Sequence, residues 1–240
     1  NQRVVLTAQS ELAETKFMEG KYEEAAEFYQ RLLNGENEEL NYQAVKAKLI
    51  RALSKSANHA GIIKQATDFL NLYGSSDDSA EIRYLLASAH KSSGEKQQAL
   101  QQLLLLLEAV EVADAGRAAK WKSWKMLAGN EIGNQLFLEG DYLHAVQVYK
   151  GLVGLDESLT WKLPIHYQIG LCFEHLLQTD EALKTYAEIL SLGKKGDPKL
   201  DENLEMVVAM AQFRNDVLAW TRSVDRTPSA TEKKVAEKTN

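Results

Sequence analysis

Met18-Glu19-Gly20-Lys21-Tyr22-Glu23-Glu24-Ala25-Ala26-Glu27-Phe28-Tyr29-Gln30-Arg31-Leu32-Leu33 decides the fold. It reads as the end of one helix, a tight turn at Gly20 and a second amphipathic helix. Residues 138–153 nearly repeat it: Leu138-Glu139-Gly140-Asp141-Tyr142-Leu143-His144-Ala145-Val146-Gln147-Val148-Tyr149-Lys150-Gly151-Leu152-Val153. Gly20 and Gly140 can take the positive φ that a helix C-terminus often requires. Ala25 and Ala145 are small enough for two helices to approach closely, and Tyr22 and Tyr142 pack over the turn. Tyr29 and Tyr149 are expected to fill the gap between one hairpin and the next. A hairpin used more than once signals a repeat array, and such arrays present extended binding surfaces.

The offsets from the glycine serve as a ruler. Around Gly20 they give Leu12, Ala13, Ala25 and Tyr29, and around Gly140 they give Ile132, Gly133, Ala145 and Tyr149. Gly94 has Leu86, Ala87, Ala99 and Leu103, while Gly61 matches less well with Leu53, Ser54, Ala66 and Leu70. A fifth unit has Ile169, Gly170, Ala182 and Tyr186, with Leu177 in the glycine's place.

This pattern of large, small, small, large resembles the tetratricopeptide repeat family over most of residues 6–192. The resemblance implies an all-α, right-handed α-solenoid of about five helix-turn-helix repeats with a C-terminal capping helix. Two features depart from the family. The turn positions stand 41 (61−20), 33 (94−61), 46 (140−94) and 37 (177−140) residues apart, where the family standard is close to the 33. The proline that follows the second helix in the family is mostly absent. The expectation is therefore a divergent, irregular solenoid.

Composition agrees. The 240 residues contain only three prolines, which suits long helices, and no alternating strand-like run of Val, Ile and Thr. The net charge of −6 argues against a general nucleic-acid binder. No stretch approaches the ~18 apolar residues of a membrane span. The chain starts at Asn1 and not at methionine, so a preceding segment, a signal or membrane anchor among the options, is expected.

Further along, Asp78 with Glu81 fits a capping box. Pro164 suits the first turn of a helix over 164–176, and Asp197-Pro198 reads as the start of a helix over 198–222. That last helix carries Met206, Met210, Phe213, Val217 and Trp220 on one face, assigned to cover the exposed end of the array. The repeat domain is thus placed at 1–222, and residues 223–240 read as a flexible polar tail.

Residues of catalytic type form no constellation. His59, His90, His144, His166 and His175 lack the spacing of a zinc hydrolase, and there is no GxGxxG, P-loop or GxSxG. No catalytic residue, no metal ligand and no cofactor is assigned. Cys172, the only cysteine, rules out an intramolecular disulfide and reads as a small buried residue. The basic segment Arg117-Ala118-Ala119-Lys120-Trp121-Lys122-Ser123-Trp124-Lys125 could lie in a membrane interface, but Trp121 and Trp124 at i and i+3 are better read as packing residues with the lysines in water.

The function expected is a non-enzymatic scaffold that binds a protein or peptide segment in its concave groove. The alternative is a membrane-tethered cell-envelope assembly factor held through a preceding segment; localisation is then the cell envelope or the cytoplasm. In the family that the chain resembles, the first helix of each hairpin lines the groove at thirteen, ten and six residues before the turn. Those places hold Lys48, Arg51 and Lys55; Glu81, Tyr84 and Ser88; Leu127, Asn130 and Asn134; Pro164, Tyr167 and Leu171. The basic ridge would pair with a partner's carboxylates, the asparagines with an extended backbone, and Tyr84 and Tyr167 would serve as anchors. An acidic protein or peptide segment is the partner expected. The arrangement lacks the two-carboxylate clamp with which the family holds chaperone C-termini.

Overall fold

The computed structural model describes residues 2–35, 38–109, 115–195 and 201–225. Every regular element among them is a helix: α1 (Gln2–Met18), α2 (Tyr22–Asn34), α3 (Tyr42–Lys55), α4 (His59–Tyr73), α5 (Ser79–Ser92), α6 (Lys96–Glu108), α7 (Ala115–Leu138), α8 (Tyr142–Val153), α9 (Leu159–His175), α10 (Thr179–Lys195) and α11 (Glu202–Asp225). The chain divides into two compact units, residues 1–128 and 129–240. In the first, α1 to α6 pack in chain order as three hairpins. In the second, the end of α7 pairs with α8, α9 pairs with α10, and α11 follows against both α9 and α10. This is the all-α hairpin-repeat solenoid expected from the sequence.

Five turns share one hydrogen bond. The residue after the turn position donates its N–H to the carbonyl five residues back: Lys21 to Lys16, Asn58 to Leu53, Glu95 to His90, Asp141 to Leu136 and Gln178 to Phe173, each at 2.9 Å. That bond closes the helix end when the turn residue is left-handed. Gly20, Gly94 and Gly140 have φ of 78° to 81°. Leu177 adopts φ 58° without glycine, in the place assigned to it.

The second hairpin corrects the ruler. Its left-handed residue is Ala57 at φ 54°, not Gly61. Gly61 lies inside α4, where its N–H is capped by the Asn58 side chain at 2.9 Å. The turns then stand 37 residues apart within each unit (57−20, 94−57 and 177−140). The repeat is more regular than expected, and the 46-residue step from Gly94 to Gly140 is the exception.

The shift hid because the side-chain sizes are exchanged. Gly133 and Gly170, seven before their turns, lie against Tyr149 and Tyr186, nine after them. Counted from Ala57, the same places hold Ile50 and Ala66, both fully buried. Large and small have changed helices at similar total volume, an exchange that cores tolerate well. The tyrosine thus fills space within its own hairpin, and Tyr149 also lies beside Cys172 of the next, as expected. Tyr22 and Tyr142 do pack over the turn, edge-on to Phe17 and Phe137 at 5.2 and 5.3 Å.

Three element boundaries differ from expectation. α9 begins at Leu159, so Pro164 sits inside the helix rather than in its first turn. Asp197-Pro198 lies outside the described residues; α11 is capped by Asp201, whose side chain accepts from the N–H of Leu204 at 2.9 Å. Asp78 precedes α5 but makes no capping bond with its side chain, which is turned to Arg51 instead. The helix α11 runs to Asp225, and the tail assigned beyond it lies outside the described residues.

The apolar face of α11 also points the other way. Leu204 and Ala211 are buried, and Val208 stands over Gly193 of α10. Arg214 meets Glu174 of α9 at 3.1 Å and Arg222 meets Asp180 of α10 at 2.6 Å. Met206, Met210, Phe213, Val217 and Trp220 are exposed. The helix is apolar on two sides, and the side with the small Ala211 and the two arginines is the one that docks.

Candidate functional site

With the turn at Ala57, the stripe of the second hairpin moves. Arg51 stands six residues before the turn, in line with Glu14 of the first hairpin and Ser88 of the third. Lys48 and Lys55 fall nine and two before it, off the stripe. The three-residue basic ridge is therefore not a feature of one groove line.

Two of its three charges, Arg51 and Lys48, are also met within the chain. The Arg51 guanidinium binds both carboxylate oxygens of Glu81, Nε at 2.9 Å and Nη2 at 2.6 Å, and Nη2 reaches Asp78 Oδ1 at 2.6 Å. This fork joins α3 to the start of α5, and all three side chains are partly buried. The Glu81 hydrogen bond comes first, with Asp78 and the two charges behind it, in driving the Arg51 pKa further up, against the opposing effect of burial. Lys48 forms an ion pair with Glu14 of α1. Consecutive hairpins of the first unit are thus tied by acid–base pairs along their first helices.

Beside these pairs is a cavity of about 350 Å³ lined by Glu14, Phe17, Met18, Tyr29, Lys48 and Arg51. Phe17, Met18 and the buried Tyr29 form its apolar wall, and the charged groups form its rim. Burial raises the Tyr29 hydroxyl to about 12, with the Glu14 charge adding to it, so it stays a neutral phenol. Met18 is 85 % exposed. Reading stripe positions alone missed Phe17, Met18 and Tyr29. The available signal was an apolar residue directly before the turn, where a helix end normally turns polar; Leu138 holds the same place in the second unit.

The remaining stripe residues are separated by their units. In the first, Tyr84 leans on Trp124 at a ring distance of 5.2 Å, and Ser88 is exposed. In the second, Asn134 accepts the Tyr149 hydroxyl at 2.7 Å, Asn130 is half-buried, and Tyr167 lies 5.9 Å from the Tyr186 ring. Trp121 is buried and Trp124 is engaged by Tyr84, as their packing role predicts. Lys125 departs from expectation: it is buried, and its ammonium donates to the Ala109 carbonyl at 2.6 Å. Cys172 is buried, and burial raises its thiol to about 11. Among the described residues no group of three or more metal-ligating side chains comes together, and no helix is long and apolar enough to cross a membrane.

A sequence model of the tetratricopeptide repeat matches residues 166–192, the α9/α10 hairpin. No curated protein sequence matches the chain. Among solved structures, the apo form of the quorum sensor NprR from B. thuringiensis is similar with a TM-score of 0.55 at 14% identity; the match covers 86% of this chain and 57% of NprR, so the chain spans less than two thirds of that protein. A structure of MamA protein matches with a TM-score of 0.55 at 20% identity, over 82% of this chain and 98% of MamA. A second MamA structure gives 0.52 at 22% identity, over 76% and 95%. At these identities the likeness is one of fold. Together with the five shared turns and the matched α9/α10 repeat, it shows a divergent fold of the tetratricopeptide-repeat type.

Proposed function

We propose that the chain is a non-enzymatic scaffold that holds a protein or peptide segment along the first helices of its hairpins. The observation that carries this reading is the open cavity of the first unit, with Phe17, Met18 and Tyr29 as wall and Glu14, Lys48 and Arg51 as rim. Such a socket takes one apolar or aromatic side chain of a partner, and the rim orients its neighbours. A partner carboxylate would have to compete with Asp78 and Glu81 for Arg51. Affinity therefore comes mainly from the apolar anchor. An acidic residue beside the anchor gains its contacts from Lys48, Arg51 and the exposed Lys55. Tyr84 and Ser88 continue the surface in the first unit; Asn130, Asn134 and Tyr167 offer a separate polar stripe in the second. The chemistry is recognition of a segment, with no bond made or broken.

The test is panning of a random-peptide display library on the full chain. Selected peptides should share a large apolar residue flanked by a charge. Met18→Asp alters only an exposed side chain and should weaken them at least tenfold. Peptides that bind Met18→Asp and Lys55→Glu chains as well as the parent would remove the socket from the account.

A further inference from the structure

The exposed face of α11 repeats a register that is covered elsewhere. Gly170 of α9 and Ala211 of α11 are both buried small residues. At one and five residues before and two after Gly170 stand Ile165, Ile169 and Cys172, each 3 % exposed or less, with Cys172 beside Tyr149 of α8. The same places around Ala211 hold Met206, Met210 and Phe213, exposed at 55 %, 37 % and 67 %. That face of α9 is covered within the second unit, and the matching face of α11 is open among the described residues.

We propose that a second copy of this chain covers this face, by antiparallel pairing of α11 with α11. The stripe Met206, Met210, Phe213, Val217, Trp220 and Val224 advances by 4, 3, 4, 3 and 4 residues, the heptad spacing of helices that supercoil about each other. All six are exposed. A two-fold axis near residue 215 sets Met206 against Val224, Met210 against Trp220 and Phe213 against Val217 of the other copy. Each layer pairs a larger side chain with a smaller one, so the face is complementary to itself, as an isologous contact requires. Between Met206 and Val224 the charged residues are Asp216, which Gln212 hydrogen-bonds at 2.8 Å, and the partly exposed Arg214 and Arg222, each paired with an acid of α9 or α10. A face nearly free of charge carries no pattern that selects a partner of opposite sign. The stripe leaves on the order of 600 Å² of apolar surface open, a patch at the upper end for a monomer and most of the ~800 Å² per partner of a stable interface. Ala209 and Thr221 at its edges extend it. This inference concerns the second unit alone and does not depend on the socket of the first.

The test is sedimentation velocity of the full chain from about 1 to 100 µM, a range that brackets micromolar self-association. The parent should shift to twice the chain mass. Phe213→Glu with Trp220→Glu should stay monomeric, with dissociation raised at least a hundredfold and an unchanged helical circular dichroism spectrum. If that pair loses helix, the milder Phe213→Ser with Trp220→Ser takes its place. To fix the orientation, Phe213→Cys with Val217→Cys should form an intermolecular disulfide on mild oxidation. A parent chain monomeric throughout overturns the proposal, as does a dimer that survives the folded variants. A chain that is monomeric alone but binds the helix of a different protein on this face overturns it too.

Discussion

Gly170 lies so close beneath the ring of Tyr186 that a Cβ there would come within 2.5 Å of Cε1. Tyr186 is fully buried, and its hydroxyl donates to Glu174 at 2.5 Å, so the ring is held at both ends. Alanine in a helix normally gains up to about 1 kcal/mol over glycine. Here overpacking, typically 1–3 kcal/mol, should win. Gly170→Ala is expected to lower the melting temperature, whereas Gly151→Ala, in α8 with open space around it, should raise it. A thermal melt of both variants checks the sign. Ala145→Leu, at a fully buried place, should cost roughly 1–3 kcal/mol by the same mechanism.

Leu177 and Ala57 hold left-handed turn positions without being glycine. That conformation costs an L residue roughly 1–2 kcal/mol, offset in part by the extra unfolded-state freedom of glycine. Leu177 is 87 % exposed and gives up little packing. Leu177→Gly and Ala57→Gly should each stabilise by about 0.5–1 kcal/mol. Urea titration measures it, and Ala60→Gly, inside α4, should go the other way.

Glu174 accepts from both Tyr186 and Arg214 and so connects α9, α10 and α11. Glu174→Ala strands the buried Tyr186 hydroxyl and should cost about 1–3 kcal/mol. Arg214 is more exposed, and Arg214→Ala should cost no more than about 1 kcal/mol. Urea titration of both variants gives the order, and equal effects would contradict it.

Burial raises the Cys172 thiol to about 11, so near neutral pH it is protonated as well as inaccessible. Since the folded state disfavours the thiolate, this group's contribution to stability is present at neutral pH and is lost as pH rises through 9 towards 11. Labelling by a disulfide reagent at pH 8 should proceed at the rate at which the second unit opens, and Glu174→Ala should accelerate it.

The fold was legible because its signals are local. Gly20, Gly94 and Gly140 mark left-handed helix ends that only glycine enters freely, and Tyr149 and Tyr186 face glycines at a fixed offset. The second hairpin was not legible in the same way. Ala57 has no sequence signature for a positive φ, and the exchange of Ile50 with Ala66 breaks the size pattern while preserving volume. That four-residue slip carried Lys48 and Lys55 onto a stripe they do not occupy. The partners of Arg51 were hidden because Asp78 and Glu81 also fit a capping box, and local sequence does not rank a helix cap against a guanidinium 27 and 30 residues away. For α11, two apolar faces compete, and the choice between them is made by Ala211, Arg214 and Arg222 meeting α9 and α10.

The central claim is that the first unit receives a partner segment at the Phe17–Met18–Tyr29 socket. The direct measurement is an amide and methyl NMR titration of the full chain with a peptide selected by display. The account predicts saturable shifts at Met18 and at amides of α1 and α3, with the Arg51 side chain perturbed and Met18→Asp abolishing the effect. Saturable shifts that leave Met18 and α3 untouched, or that persist in Met18→Asp, would contradict it.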